Sequence, residues 1–352
     1  DNLKKGGKRM PRLLRVGLFM GGSSSEKEIS LETGRHVYNS LDRTKFEVVP
    51  VFVNHQNHFY IIDEGLMWMN TCADVEAQLS TLGRRLFYED LKSEIDYAFL
   101  ALHGKYGEEC LPGLLELFAI PNNSSGVLGG VLGMDKVFQK RLLQANNLTV
   151  GKYLGINIQN WKQNKGEILN QVEEYFAYPF IVKPSREGCS VAISKVTNKK
   201  ETEKAFEAAF IYDNVILIEE YLKGIEVTTT VIEEKGILRV LTPTETPYKG
   251  DFLSVEEKFL PGDATMITPP NLPKEDIAKI QTDTLKAYRA LRQQNCSRID
   301  GIFKEGKLFI LEPNSPPGMT PSTMVFHQAA EEGWNASDFF TKVIENHTFN
   351  DK

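Results

Sequence analysis

The sequence predicts an α/β protein in which an N-terminal lobe on a parallel sheet is followed by two mixed α+β lobes. Three observations predict it. Apolar runs ending at glycine alternate with helix-period segments over residues 13–128, and β-branched runs crowd residues 179–242. A length of 352 residues is enough for two or three domains at about 100–200 residues each. With 41% hydrophobic and 25% charged residues the chain has a globular rather than a disordered composition. The 41 Lys plus Arg are outnumbered by 47 Asp plus Glu, and no basic tract is interleaved with aromatics, so no nucleic-acid partner is expected. No run approaches the roughly 20 apolar residues of a membrane span, so no membrane partner is expected either. Cys72, Cys110, Cys189 and Cys296 lie far apart without Cys-x-x-Cys or histidine partners, as reduced thiols in a cytoplasm would.

The elements follow in order. Residues 1–12 read as a basic, solvated tail. Residues 15–20 (RVGLFM) form a strand that ends at Gly21-Gly22, and Ile29, Leu31, Val37 and Leu41 recur with a helical period. FEVVPVFV (46–53) and DYAFLAL (96–102) supply further strands, with a helix near 75–82 between them. This alternation calls for a parallel sheet covered on both faces. The central lobe, 129–222, opens with a helix over 134–146. It continues with strands at 179–183, 191–196 and 215–220 and a helix at 201–209. The C-terminal lobe, 223–352, adds strands at 227–233 and 237–242. Residues 243–272 are rich in Pro, Gly and charge and lack periodicity, which marks a candidate lid. A helix at 276–291 then leads into a hairpin, 298–303 and 308–312, joined by Glu-Gly-Lys. No repeat with a period of 20–50 residues is present.

Four constellations carry chemistry. Asp300, Glu312 and Asn314 bring two acids and an amide to the hairpin ends, an oxygen-donor set that suits a hard cation such as Mg²⁺. Lys183 ends an apolar strand and opens KPSREGCS, where a glycine turn and a point charge suit phosphate, although GxxxxGK[ST] is absent. Glu219, Glu220 and Leu222 end another strand with acceptors and backbone groups that can read an adenine edge. GGSSSEKE and His103-Gly104 both follow sheet strands, so the two loops should be neighbours where open α/β sheets bind ligands. There Glu26 would hold an ammonium group and His103 would support phosphate or carboxylate.

These residues stand in stretches that resemble the D-alanine:D-alanine ligase family of ATP-grasp enzymes, in order and spacing, from residue 15 to about 335. The matching stretches are GGSSSEKEISL, LHGKYGEE, SSGVLGGVLGMDK, IVKPSREGCSV, IEEYLKGIE, VEEKFL, RIDGIF and LEPNSPPGMT. The resemblance implies a three-lobe ATP-grasp fold with an N-terminal pre-ATP-grasp domain. It implies ATP between the central and C-terminal lobes, with Lys136 and Lys183 on its phosphates, Glu219 and Leu222 at adenine, Glu226 at ribose and Lys258 covering the phosphates. Asp300, Glu312 and Asn314 would hold two Mg²⁺ ions, with Mn²⁺ as a substitute. One D-alanine carboxylate would attack the γ-phosphorus and the amine of a second D-alanine, or an analogue, would attack the resulting acyl phosphate, for peptidoglycan precursors. Arg298 and the Gly318 N–H would stabilise the oxyanion. Glu26, His103, Thr323 and Met324 would line the substrates, and a homodimer is compatible with the family.

Several positions depart from the family pattern. A serine that normally meets the N-terminal glutamate is Cys189, followed by Ser190, and a lid tyrosine is Phe259, so two hydroxyls of that network are missing. Glu109 is followed by Cys110-Leu111 rather than by Asp and Gly, Ser124-Ser125-Gly126 stands for GSG, and Thr323 replaces a serine. Phe259 also resembles relatives that join D-alanine to D-lactate. The alternatives are therefore a D-alanine:X ligase and a degenerate nucleotide-binding relative.

Overall fold

The computed structural model describes residues 12–188, 192–247 and 266–346. The tail and four site candidates, Cys189, Ser190, Lys258 and Phe259, lie outside the described residues.

The first sheet contains β1 (Leu14–Gly21), β2 (Phe46–Val53), β3 (Phe59–Ile61), β4 (Arg84–Leu86) and β5 (Tyr97–Leu100), in the order β4-β3-β2-β1-β5. β1 runs parallel to both β2 and β5. Alternation along β1 sends Val16, Leu18 and Met20 into one apolar cluster and Phe19 into another, so both faces are covered. β3 and β4 add an antiparallel edge that the sequence pattern did not announce. The cluster under Val16 and Leu18 also takes in Ile232, Cys296, Phe339 and Phe340, so the N-terminal sheet is seated on the C-terminal lobe.

The helix expected over 134–146 spans Lys136–Ala145, and a separate helix, Gly126–Met134, precedes it. Asp135 breaks the run because its carboxylate accepts the Val137 and Phe138 N–H groups as an N-cap. Helices Cys110–Leu117 and Ile158–Tyr175 were also not expected. In helix Gly126–Met134, a Cβ on Gly130 would collide with the Glu108 carbonyl. Gly130→Ala is therefore expected to lower stability by about 1–3 kcal/mol, although helix propensity alone would favour alanine by about 1 kcal/mol. Denaturant melts decide the sign.

The second sheet is wholly antiparallel, with β6 (Tyr153–Asn157), β7 (Phe180–Pro184), β8 (Ser194–Val196) and β9 (Val215–Glu220) ordered β6-β9-β7-β8. The third contains β10 (Ile225–Glu234), β11 (Ile237–Val240), β12 (Thr244–Glu245), β13 (Cys296–Lys304) and β14 (Lys307–Asn314). Its order is β11-β10-β13-β14, with β12 also on β10. Glu305 and Gly306, at φ 49° and 69°, make the two-residue turn between β13 and β14. A bulge then shifts the register after Gly301↔Ile310, so that Asp300 faces Glu312. The unshifted register would set Glu312 opposite Ile299, on the other face of the sheet. Both ends of the expected lid are anchored, by β12 and by a bridge between Glu245 and Ile267. No helix among the described residues is long and apolar enough to cross a membrane.

Candidate active site

Four side chains share one face of the β13–β14 pair, since Arg298 faces Asn314 and Asp300 faces Glu312. Arg298 grips Asp300 with two hydrogen bonds, Nε to Oδ1 at 3.0 Å and Nη2 to Oδ2 at 2.9 Å. Thr228 Oγ1 on β10 donates to Oδ1 at 2.8 Å and Asn314 Nδ2 to Oδ2 at 3.0 Å. Asp300 is only 5% exposed, while Glu312 is half-buried and lies 3.3 Å from Lys136 Nζ. Among the described residues no three His, Cys, Asp or Glu side chains form a metal cluster. The donor set is two carboxylates and an amide, which fits Mg²⁺, since that ion takes one or two carboxylates and completes its shell with water and phosphate oxygens.

These strands form one wall of a cleft. The opposite wall is Glu26, at the N-terminus of helix Lys27–Ser40, and the loops carrying Gly104 and Gly188. A Cβ on Gly104 or Gly188 would stand 2.7 or 2.5 Å from Glu26 Oε2, so only glycine lets both loops clasp this carboxylate. Ser24 Oγ donates to the His103 carbonyl at 2.7 Å, which makes the two sequence-predicted loops neighbours. Glu108, which sequence reasoning did not single out, lies beside Glu26 and accepts the Gly104 N–H at 2.8 Å. Burial first, and then Glu26, push its carboxyl well above the ordinary range. Two such acids side by side could be neutralised by an ammonium group between them.

Lys136 opens its helix and donates to the Glu187 carbonyl at 2.8 Å, at the rim of the turn that follows β7. Lys183, on β7, reaches Glu219 Oε1 on β9 at 2.5 Å, and Lys140 Nζ approaches Oε2 of the same carboxylate at 3.1 Å. Burial raises the Glu219 carboxyl, but the two lysines outweigh it and hold it at about 2. Burial works against charge on Lys183, but Glu219, Glu312 and Glu226 keep it above its ordinary value.

The remaining candidates are more dispersed. Leu222 is buried beyond β9, and Glu226 is the second residue of β10. Gly318 is buried in the loop after β14. Thr323 caps helix Met324–Glu331 by position but spends its hydroxyl on the Thr320 carbonyl, at 2.9 Å, and Met324 Sδ accepts from Thr246 at 3.5 Å. Neither lines the cleft. His103 lines an adjoining, mostly apolar cavity, with Nε2 3.3 Å from Thr33 Oγ1.

Burial, and then the Arg298 charge, push His103 down to about 4. In the unfolded chain it titrates near about 6.5. As pH falls from about 6.5 to 4 the unfolded state takes up a proton that the folded state refuses, so this contribution is complete above the window and lost within it. His103→Asn should flatten the fall in stability across that window, as read by melts at stepped pH.

Sequence models of the D-ala D-ala ligase N-terminus and C-terminus match residues 15–125 and 142–345. A D-alanine–D-alanine ligase of Bacillus velezensis is 34% identical over 345 residues, covering 92% of this chain and 95% of the relative. One from Geobacter sulfurreducens is 34% identical over 335 residues, covering 94% and 93%. Among solved structures, the VanG D-Ala:D-Ser ligase from Enterococcus faecalis superposes with a TM-score of 0.83 at 25% identity, over 96% of this chain and 100% of that one. A D-alanine–D-alanine ligase from Bacillus anthracis, complexed with ATP, gives 0.73 at 26% identity, over 95% and 97%.

Proposed function

The chain belongs to the D-alanine–D-alanine ligase family, and from that premise we propose that it joins two D-alanine molecules at the expense of ATP to make a peptidoglycan precursor. The supporting observation is the meeting of Glu26 and Glu108, Lys136, and Arg298, Glu312 and Asn314 of the hairpin around one cleft, with Lys183 paired to Glu219 on the neighbouring sheet. Its lobes span 13–128, 129–222 and 223–352.

ATP lies between the central and C-terminal lobes, with Lys136 and Lys183 on its phosphates, Glu219 and Leu222 at adenine and Glu226 at ribose. Lys258, outside the described residues, would be the residue that covers the phosphates. Glu26 and Glu108 hold the first D-alanine by its ammonium group, which leaves its carboxylate facing the γ-phosphate. That carboxylate attacks the γ-phosphorus, ADP leaves, and the acyl phosphate is then attacked by the second amine with loss of phosphate. Arg298, pre-oriented by its fork on Asp300, and the Gly318 N–H meet the charge that develops on the carbonyl oxygen. The second substrate's carboxylate docks at the N-terminus of helix Met324–Glu331, beside Thr323 and Met324. Asp300, Glu312 and Asn314 are the residues that would hold Mg²⁺, which when bound neutralises charge between the two anions.

Phosphate release with D-alanine alone, then with D-serine or D-lactate added, tests this reading, together with mass spectrometry of the products. D-alanyl-D-alanine is the expected product. ATP-dependent thermal stabilisation without any product would instead identify a nucleotide-binding relative that has lost catalysis. Two observations favour a second reading, D-alanine:X ligation: Phe259 replaces the lid tyrosine, and the structural likeness extends to a D-Ala:D-Ser ligase. Phe259→Tyr, with Cys189 and Ser190 left unchanged, is expected to raise dipeptide output. Unchanged output would remove lid pinning from the account. Val127, Leu128 and Val131 are exposed on helix Gly126–Met134, which supports a homodimer through that surface.

A further inference from the structure

Lys140 is a buried charged group that the reaction above does not use. Its side chain is 1% exposed, on the same helix stripe as Val137 and Leu143, so it reaches neither solvent nor the cleft. Its ammonium group has two partners, Glu219 Oε2 at 3.1 Å and the Ile310 carbonyl of β14 at 3.0 Å. Glu219 is therefore shared, with one oxygen on Lys140 behind it and the other on Lys183 in front. Both lysines feel Glu219 and Glu312, but Lys183 is the more exposed, at 10% against 1%, and it alone also feels Glu226.

A triphosphate that draws Lys183 toward it takes away one of the two cations that neutralise Glu219. A buried carboxylate stripped of its partner is strongly disfavoured. Resting on the ATP reading above, we propose that Lys140 is a positioning residue: a fixed counter-ion that holds Glu219 in place and ionised while Lys183 changes partner from that carboxylate to the nucleotide phosphates. The bond to the Ile310 carbonyl fixes Lys140 two residues ahead of Glu312, so the adenine-facing carboxylate and the strand bearing the cation donors keep a common frame. A lysine on the apolar stripe of a helix is the signal that sequence reading passed over.

The full-length enzyme tests this through a double-mutant cycle on Lys140→Met and Glu219→Gln, reading ATP affinity by calorimetry alongside KM for ATP, KM for D-alanine and kcat. Contacting charges are energetically coupled, so Lys140→Met alone should weaken ATP binding by about tenfold or more. KM for D-alanine and kcat should stay within about threefold. Lys140→Arg should recover part of the loss. In the Glu219→Gln background the same methionine substitution should cost less than about threefold, because no carboxylate is left to neutralise. That comparison remains readable even if Lys140→Met alone folds poorly, since the double variant buries neither charge. Equal losses in the two backgrounds, an unchanged ATP affinity in Lys140→Met, or a matching loss for D-alanine would overturn the proposal. The ligase reading fails separately, when the parent protein binds ATP but makes no dipeptide or other D-alanine product.

Discussion

Glu312→Gln is expected to cut kcat by about a thousandfold or more while the protein stays folded. The carboxylate is half-buried, faces Asp300 across the bulged hairpin and lies 3.3 Å from Lys136. Glutamine keeps its shape but removes the charge from a three-donor cation patch. Cation stabilisation of a phosphoryl transition state is worth several kcal/mol, and each 1.36 kcal/mol is about a factor of ten in rate. Stability should change little, because the group is neither fully buried nor part of the apolar clusters. Phosphate release and a thermal melt on the same preparation separate the two effects, and a variant within about tenfold of the parent would mean that Glu312 does not serve the cation.

Arg298→Ala should fail on both counts. The guanidinium is 5% exposed and supplies two of the four hydrogen bonds on the Asp300 carboxylate. Removing it leaves a buried acid held only by Thr228 and Asn314, a loss that costs about 3–5 kcal/mol for buried pairs. On the proposed mechanism it also removes an oxyanion donor, worth about 10²–10³ in rate. Arg298→Lys should regain part of the stability but little of the rate, because an ammonium group cannot reproduce the planar two-point grip. Denaturant melts and single-turnover rates measure the two separately. A fully active lysine variant would show that the fork geometry is dispensable.

What the sequence could and could not convey follows from how local each determinant is. β1, its glycine loop and helix Lys27–Ser40 were legible because their periods, near 2 and 3.6, are written within a few residues. The hairpin was legible for the same reason, with Glu305-Gly306 as its turn. The bulge at Asp300 was not, because register is decided across two strands, yet it is what brings Glu312 to the face of Asp300. β3 and β4 are three residues each, too short for alternation to register. Helix Gly126–Met134 was hidden by its glycines, which are poor helix formers. Glu108 and Lys140 were missed because one acquires meaning only beside Glu26 and the other only behind Glu219. Lys136, Lys183, Glu219 and the oxygen donors could be singled out because strand ends and family motifs mark them in the chain itself.

The central claim is that the hairpin's oxygen donors hold a divalent cation against the terminal phosphate of ATP. A crystal of the protein with a non-hydrolysable ATP analogue and Mn²⁺, measured for anomalous scattering, addresses it directly. The account predicts anomalous peaks within coordination distance of Asp300, Glu312 and Asn314 and of the β- and γ-phosphate oxygens. Peaks elsewhere, with those three side chains turned away from the triphosphate, would contradict it.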